Sequence, residues 1–214
     1  LNLDGTDESR RALALSVSKL QRHRGPDWSG VYQHTHAILS HERLAIVDVS
    51  SGAQPLIDPE TQTALAVNGE IYNHHEVRKN TSSYPYQTGS DCEVILALYR
   101  QFGNDLVDHL EGMFAFVLFD PEKNKWLIGR DSIGIIPLYY GHDEEGTLLV
   151  ASEMKALSSL CDDVSEFPPG HTWSSDETSP TKYFHADWMN WESTQKNKLD
   201  LTELNAQLTE SVRS

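Results

Sequence analysis

Strand signals come in runs along this sequence, with helices interspersed between the runs, and that order constrains the fold more than any other feature. A strict alternation of strands and helices would build a parallel, doubly wound sheet; runs of strands joined by short turns build antiparallel sheets in an α+β fold. Residues 113–119 and 126–129 read as apolar strands joined by Asp120-Pro121-Glu122-Lys123-Asn124, a hairpin with a five-residue loop. Tyr139-Tyr140 and residues 148–151 flank the loop 143–146 as another hairpin. Apolar stretches at 36–40, 43–47 and 64–67, punctuated by Ser-Gly-Ala and Asp-Pro, add further strands.

Between these runs, residues 7–21 carry Leu13, Val17 and Leu20 at i, i+4 and i+7, one face of a helix that Gly25-Pro26 stops. Ser90-Asp91-Cys92-Glu93 has the Ser-x-x-Glu pattern of a capping box, and Val94, Ala97 and Leu98 follow at helical spacing. Short helices are expected around Leu106 and Leu110 and over residues 153–160. Composition turns polar from about Ser174 to 200, where Tyr183, Phe184, Trp188 and Trp191 need cover. Leu201, Leu204, Leu208 and Val212 then form a helical stripe with nothing in sight to cover it, so a further domain is expected to follow. At the other end, Leu1-Asn2-Leu3 running into Asp4-Gly5 reads as the end of a strand, and the methionines are Met113, Met154 and Met189. The chain is therefore expected to be trimmed at its front.

The 214 residues are 38% hydrophobic and 23% charged, enough for a packed core of one sizeable domain. A formal charge of −15 repels phosphate backbones and anionic membranes, which argues against nucleic-acid or lipid binding. The cysteines, Cys92 and Cys161, form no CxxC and have no His at ligand spacing, as expected of reduced thiols in a cytoplasmic protein. The sequence holds neither a phosphate-binding Gly-rich loop nor a metal-ligand cluster, and no apolar run approaches the roughly 18 residues of a membrane helix.

Several short motifs admit a structural and a functional reading side by side. Arg22-His23-Arg24-Gly25-Pro26-Asp27 suits a helix C-terminus, where basic residues meet the negative end of the dipole, or a loop closing over an anionic ligand. In His41-Glu42-Arg43-Leu44, Arg43 is either a solvated strand end or a guanidinium placed beside a buried strand to fork onto a carboxylate. Asn68-Gly69, between apolar runs, is a strong hairpin signal, yet an Asn amide and an unobstructed Gly N–H also make an oxyanion hole. Asp91 suits a helix start, or pairs with a substrate ammonium. The Arg130-Asp131 pair in its Gly-punctuated loop has the look of a loop brace rather than a catalytic pair.

Taken in order, these motifs resemble a family. Arg22–Asp27, His41-Glu42-Arg43-Leu44, Val67-Asn68-Gly69-Glu70-Ile71-Tyr72-Asn73, Gly89-Ser90-Asp91, Gly112-Met113-Phe114-Ala115-Phe116, Gly129-Arg130-Asp131 and Pro137-Leu138-Tyr139-Tyr140 are similar to the class II glutamine amidotransferases. Arg24-Gly25-Pro26-Asp27-Trp28-Ser29-Gly30 and Ala151-Ser152-Glu153-Met154-Lys155-Ala156-Leu157 look like the asparagine synthetase branch. The resemblance spans roughly residues 1–192, leaving 193–214 as linker and first helix of a following synthetase domain. It implies a four-layer αββα N-terminal-nucleophile fold, with two antiparallel sheets between helical layers. It also implies hydrolysis of the glutamine side-chain amide. Arg43 would then clamp the substrate carboxylate with backbone help from Ile46 and Val47, Asp91 would hold the ammonium with Glu70 nearby, and Asn68 and Gly69 would form the oxyanion hole.

The family's nucleophile is a cysteine at the mature N-terminus whose own amine serves as base. This sequence begins at Leu1, and Cys92 belongs to the Ser-Asp-Cys-Glu motif rather than to that position, so the chain as written is expected to be inactive alone. No cofactor is expected here; ATP and Mg²⁺ are expected in the synthetase domain, where the released ammonia would amidate aspartate. The expected partners are glutamine and that domain, and a homodimer is compatible with the resemblance. The competing expectation is a degenerate, non-catalytic scaffold of the same fold, against which stand the retained Arg43, Asn68, Gly69 and Asp91.

Overall fold

A computed structural model describes residues 7–44, 52–195 and 199–213. The expectations for Leu1-Asn2-Leu3, Ile46 and Val47 lie outside the described residues. The chain divides into two compact units, 1–183 and 184–214.

Among the described residues of the first unit, the strands form three antiparallel sheets. The central, six-stranded sheet contains β3 (Leu56–Ile57), β4 (Ala64–Ile71), β5 (Gly112–Asp120), β6 (Lys125–Arg130), β10 (His171–Ser174) and β11 (Thr181–Lys182), in the order β11-β10-β6-β5-β4-β3. Its middle strands are apolar on both faces because both faces are covered. On one face, Leu65, Val67, Phe114, Phe116, Leu118 and Leu127 pack under α3 (Val94–Phe102), with Val77 of α2 (His74–Asn80) joining the cluster. On the other, reached by stepping one residue along each strand, Ala115, Val117, Phe119, Trp126 and Ile128 meet a second strand layer. Each fully buried Phe or Leu here contributes about 1.5–3 kcal/mol of transfer free energy, so the alternation fixes the register firmly.

The second layer consists of a hairpin, β1 (Trp28–His34) with β2 (Ala37–Arg43), and a three-stranded sheet of β7 (Tyr139–His142), β8 (Leu148–Ala151) and β9 (Val164–Glu166). Leu39 of β2 packs on Ala64 and Phe119, and Tyr140, Leu148 and Val150 pack around Ile128 and Trp173. Helix α1 (Asp7–Lys19) lies on β2, and its Val17 packs with Ala151, Ala156 and Leu157. Helix, sheet, sheet and helix follow one another through the unit, the α+β arrangement with antiparallel sheets that the strand runs call for.

Several local expectations are corrected. Ala37–Arg43 is one strand that takes in most of 36–40 and reaches the start of 43–47, paired along its length with Trp28–His34, which the sequence reading left unassigned; residues 45–47 lie outside the described residues. The Ser90–Glu93 pattern is not a capping box. Ser90 makes no side-chain cap, and Asp91–Glu93 form a 3₁₀ turn before α3. Glu93 reaches the preceding loop instead, accepting from Gln87 N at 2.7 Å, Thr88 N at 2.8 Å and Thr88 Oγ1 at 2.7 Å. The short helices expected around Leu106 and Leu110 and over 153–160 are present as 3₁₀ helices, Gly103–His109, ending one residue before Leu110, and Met154–Ala156.

The Arg130-Asp131 pair is a loop brace, as its setting suggested. The buried Arg130 guanidinium donates to Ile136 O at 2.7 Å and Gly134 O at 3.0 Å, and also to Phe167 O. Asp131 serves the same loop as an acceptor. Together they hold residues 131–138 between β6 and β7.

The second unit contains α4 (Trp191–Thr194) and α5 (Leu201–Arg213). Leu201, Leu204, Leu208 and Val212 are exposed along α5, and Trp188 and Trp191 are exposed as well, against the expectation of cover for these two tryptophans.

Candidate functional site

Strand alternation brings the expected site residues together. On β2, Leu39 faces the central sheet, so His41 and Arg43, two and four residues on, face the same way. On β4, Ala64 and Ala66 face the second layer, so Asn68 and Glu70 do too. β2 packs against β4. Two facing strands thus turn a guanidinium, an amide and a carboxylate into one interlayer space.

That space is part of a cavity of about 610 Å³ that also extends along α1 past Ser18 and Glu42, and Arg43, Asn68, Gly69, Glu70, Asp91 and Cys92 all line it. The structure therefore brings five of the seven expected binding residues to one place; the other two, Ile46 and Val47, fall outside the described residues. Arg43 is buried, at 8% exposure, with a planar, permanently charged head suited to a carboxylate.

Asn68-Gly69 is not a hairpin turn. β4 runs through it, with Asn68 opposite Ala115 and Gly69 opposite Phe114. The glycine is required for a different reason: its φ is +141°, and a Cβ there would stand 2.0 Å from Met113 O and 2.7 Å from Phe114 Cα. A close approach of β4 and β5 at this point leaves room for hydrogen only.

Asp91 comes from the 3₁₀ turn that packs on β4. Its Oδ2 accepts the Ile71 N–H at 2.8 Å, a buried bond that ties the carboxylate to the strand carrying Asn68 and Gly69. Cys92 Sγ lies 3.7 Å from Gly69 O and 3.6 Å from Asp91 Oδ2. Burial, with Asp91 and Glu70 close by, pushes this thiol well above its ordinary pKa, so it remains a protonated donor at neutral pH. Native Cys92 should accordingly react with iodoacetamide at pH 8 at least about a hundredfold more slowly than the same thiol in urea. Mass-spectrometric mapping of the label measures this; rapid native labelling of Cys92 would contradict the geometry.

His41 also lines the cavity, a residue to which the sequence reading gave no role. Burial pushes its pKa down to about 4, with Glu42 pulling against this and Arg43 adding to it. The imidazole is therefore neutral at physiological pH and adds polarity without charge. Only its place two residues before Arg43 could have pointed to it.

The basic turn splits its work. Arg22 turns to the far side of β2, where it pairs with Glu42 at 2.7 Å. His23 and Arg24 instead meet Glu153, His23 Nε2 at 2.8 Å and Arg24 Nη1 at 3.4 Å, while Lys155 Nζ sits 2.9 Å from its other oxygen. Burial opposes ionisation of Glu153, but hydrogen bonds from Lys155 and His23 outweigh it and lower its pKa. Segments 24–30 and 151–157 are thus joined through one carboxylate.

Two antiparallel strand layers thus lie between helices, with an Arg, an Asn-Gly and an Asp around one cavity. A family model described as a glutamine amidotransferase domain matches residues 3–166, and the chain belongs to that family. Among its relatives, asparagine synthetase B [glutamine-hydrolyzing] of Escherichia coli (strain K12) is 54% identical over 206 residues, covering 95% of this chain and 37% of that protein. Asparagine synthetase [glutamine-hydrolyzing] of Asparagus officinalis is 45% identical over 190 residues, 89% of this chain and 32% of that one. The chain thus spans about a third of the length of the relatives it matches. A solved glutamine phosphoribosylpyrophosphate amidotransferase from B. subtilis, complexed with ADP and GMP, superposes with a TM-score of 0.63 at 20% identity. It covers 79% of this chain and 46% of its own, a likeness of fold.

Proposed function

We propose that this chain is the glutaminase part of a glutamine-hydrolysing asparagine synthetase, releasing ammonia from glutamine for the amidation of aspartate. One observation carries the reading: Arg43, Asn68, Gly69, Glu70 and Asp91, drawn from β2, β4 and a turn, converge on a single cavity. Their chemistry matches the ends of a glutamine molecule. Arg43 offers a fork of donors to the α-carboxylate, and Asp91, held at Oδ2 by the Ile71 N–H, offers charge to the α-ammonium. Fixing both charged ends orients the side-chain amide before reaction begins.

Hydrolysis then needs a nucleophile at the amide carbon and donors for the oxyanion that forms. Asn68 Nδ2 and the Gly69 N–H fill the donor role, stabilising charge that exists only in the tetrahedral intermediate. As that intermediate collapses, the carbon–nitrogen bond breaks, and a proton returns to the leaving nitrogen as ammonia departs. Water then attacks the acyl group left on the nucleophile, breaking that bond to release glutamate and return the nucleophile's proton. By its relationship to the family the nucleophile is an N-terminal cysteine acting through its own amine. Cys92 does not replace it, because its thiol is buried and held protonated.

ATP and Mg²⁺ belong, in this reading, to a synthetase domain of the same protein, which would be the partner that consumes the ammonia. The cavity's charged and amide groups fit an amino acid rather than a triphosphate. Among the described residues no helix is long and apolar enough to cross a membrane. With the reduced, buried thiols, a cytoplasmic location is the natural assignment.

The test is the intact mass and N-terminal sequence of the protein purified from its source, together with its release of glutamate from glutamine. A terminal cysteine and steady glutamate release are expected, with alkylation of that cysteine abolishing the release. A native chain with another terminal residue and no glutamate release would replace this reading with a non-catalytic scaffold.

A further inference from the structure

The face of β2 opposite Arg43 carries a charged cluster. Glu42 stands between His41 and Arg43, so its side chain leaves the strand on the opposite face. That side chain is only 6% exposed. Its carboxylate accepts from Ser18 Oγ at 2.7 Å, Ser29 Oγ at 2.6 Å and Arg22 Nη1 at 2.7 Å. Arg22 in turn donates to Ser29 Oγ and, through Nη2, to Pro26 O at 2.7 Å. One carboxylate therefore ties α1, the basic turn and β1 to the strand that carries Arg43.

The backbone closes on the same point. Asp27 N–H donates to Arg43 O at 3.1 Å. Gly25 comes so near that a Cβ there would stand 2.0 Å from Glu42 O and 2.5 Å from Arg43 N. The peptide joining Glu42 to Arg43 is thus held from the side, behind and along the strand. Burial works against the charge on Glu42, but hydrogen bonds from Ser29, Arg22 and Ser18 outweigh it and keep its pKa below the ordinary value.

An exposed ion pair would matter little here, because solvent screens it. A nearly buried carboxylate with three donors is a different object: each charge-assisted bond is strong, and losing the acceptor strands its donors. We infer that Glu42 is the positioning residue for Arg43, fixing the base of a long, flexible side chain so that its guanidinium meets a substrate carboxylate with little further ordering. This rests on the proposed function, in which Arg43 binds the glutamine carboxylate.

The test uses the native-length protein and its release of glutamate from glutamine. Glu42→Gln is expected to raise KM for glutamine roughly tenfold with kcat within about twofold. Ser29→Ala, which removes one donor and keeps the carboxylate, should raise KM about threefold and guards against a folding failure of the first variant. Combined with Arg43→Lys, Glu42→Gln should add almost nothing, because both changes disable one clamp. Independent multiplication of the two effects, or a fall in kcat at constant KM, would reduce Glu42 to a structural residue. An unchanged KM in both Glu42→Gln and Ser29→Ala would overturn the inference directly. If the unsubstituted protein releases no glutamate, the function itself fails, and this role fails with it.

Discussion

Replacing Asn68 by alanine is expected to lower kcat for glutamine hydrolysis by roughly 10²–10³-fold while leaving KM nearly unchanged. The expectation follows from where charge develops. In the ground state the amide oxygen needs little from the protein, but in the tetrahedral intermediate it carries a full negative charge, and a fixed amide N–H there counts most. Asn68 is well placed to be fixed. It lies within β4, opposite Ala115 of β5, and its strand is held against β5 by the close approach at Gly69, where Met113 O leaves no space for a Cβ. On the other side, Asp91 accepts the Ile71 N–H and so clamps the strand three residues on. Steady-state glutamate release by the native-length protein, with thermal melting as a control for folding, measures the effect. Full kcat in a folded Asn68→Ala protein would remove this residue from oxyanion stabilisation and shift the burden to other donors.

Asp131→Ala is expected to cost about 3–5 kcal/mol of stability, the largest single loss we foresee outside the hydrophobic core. Asp131 is 1% exposed. Its carboxylate accepts backbone N–H groups from Phe114 at 3.3 Å, Ile133 at 3.2 Å, Gly134 at 2.6 Å, Ile135 at 3.0 Å and Ile136 at 3.2 Å. Alanine would leave four of those donors with no acceptor, only the Gly134 N–H keeping the backbone carbonyl of residue 131 at 3.2 Å, and the turn after β6 would lose the carboxylate around which it winds. For a chain of this size the loss corresponds to a fall in Tm of about 10 °C. Urea or thermal denaturation followed by circular dichroism measures it, with Asp131→Asn expected to retain part of the stability because its carbonyl still accepts. A melting curve unchanged in Asp131→Ala would mean that water replaces the carboxylate and that the loop is not braced from this point.

Much of the fold is legible in the sequence for a simple reason. Side chains on a strand alternate between faces, so a strand covered on both sides must be apolar at nearly every position, and residues 113–119 are such a run. The following turn, with Asn124 at a φ of +51°, closes the hairpin that the sequence announces, with a loop of four residues rather than five because Asp120 pairs with Lys125. The hairpin of Tyr139–His142 with Leu148–Ala151 was equally clear. Trp28–His34 was not legible, because this partly exposed strand has no continuous apolar run, and only its pairing with Ala37–Arg43 defines it. The Ser90–Glu93 pattern misled for a related reason. A Glu three residues after a Ser can cap a helix, but here nearby loop donors at Gln87 and Thr88 compete for it and win.

The same division runs through the site. Residue types and their order along the chain, from the basic turn to Asn68-Gly69 and Asp91, are properties of the sequence, and they suffice to place the chain in its family. Whether Asn68-Gly69 turns or runs straight depends on the neighbouring strand. Dihedral preferences allow both, and the pairing of β4 with β5 along its whole length selects the straight path. Whether Arg43 faces a ligand or solvent depends on parity, which is set by Leu39 finding cover against Ala64 and Phe119. The division of the charged triplet is decided in the same way: by parity Arg43 shares the face of Leu39, while Glu42, one residue earlier, is taken by Ser18, Ser29 and Arg22 on the opposite face. Local chemistry determines what each residue is able to do; burial of the strands' apolar faces, a cooperative property of the whole unit, determines which of those capacities meet in one place.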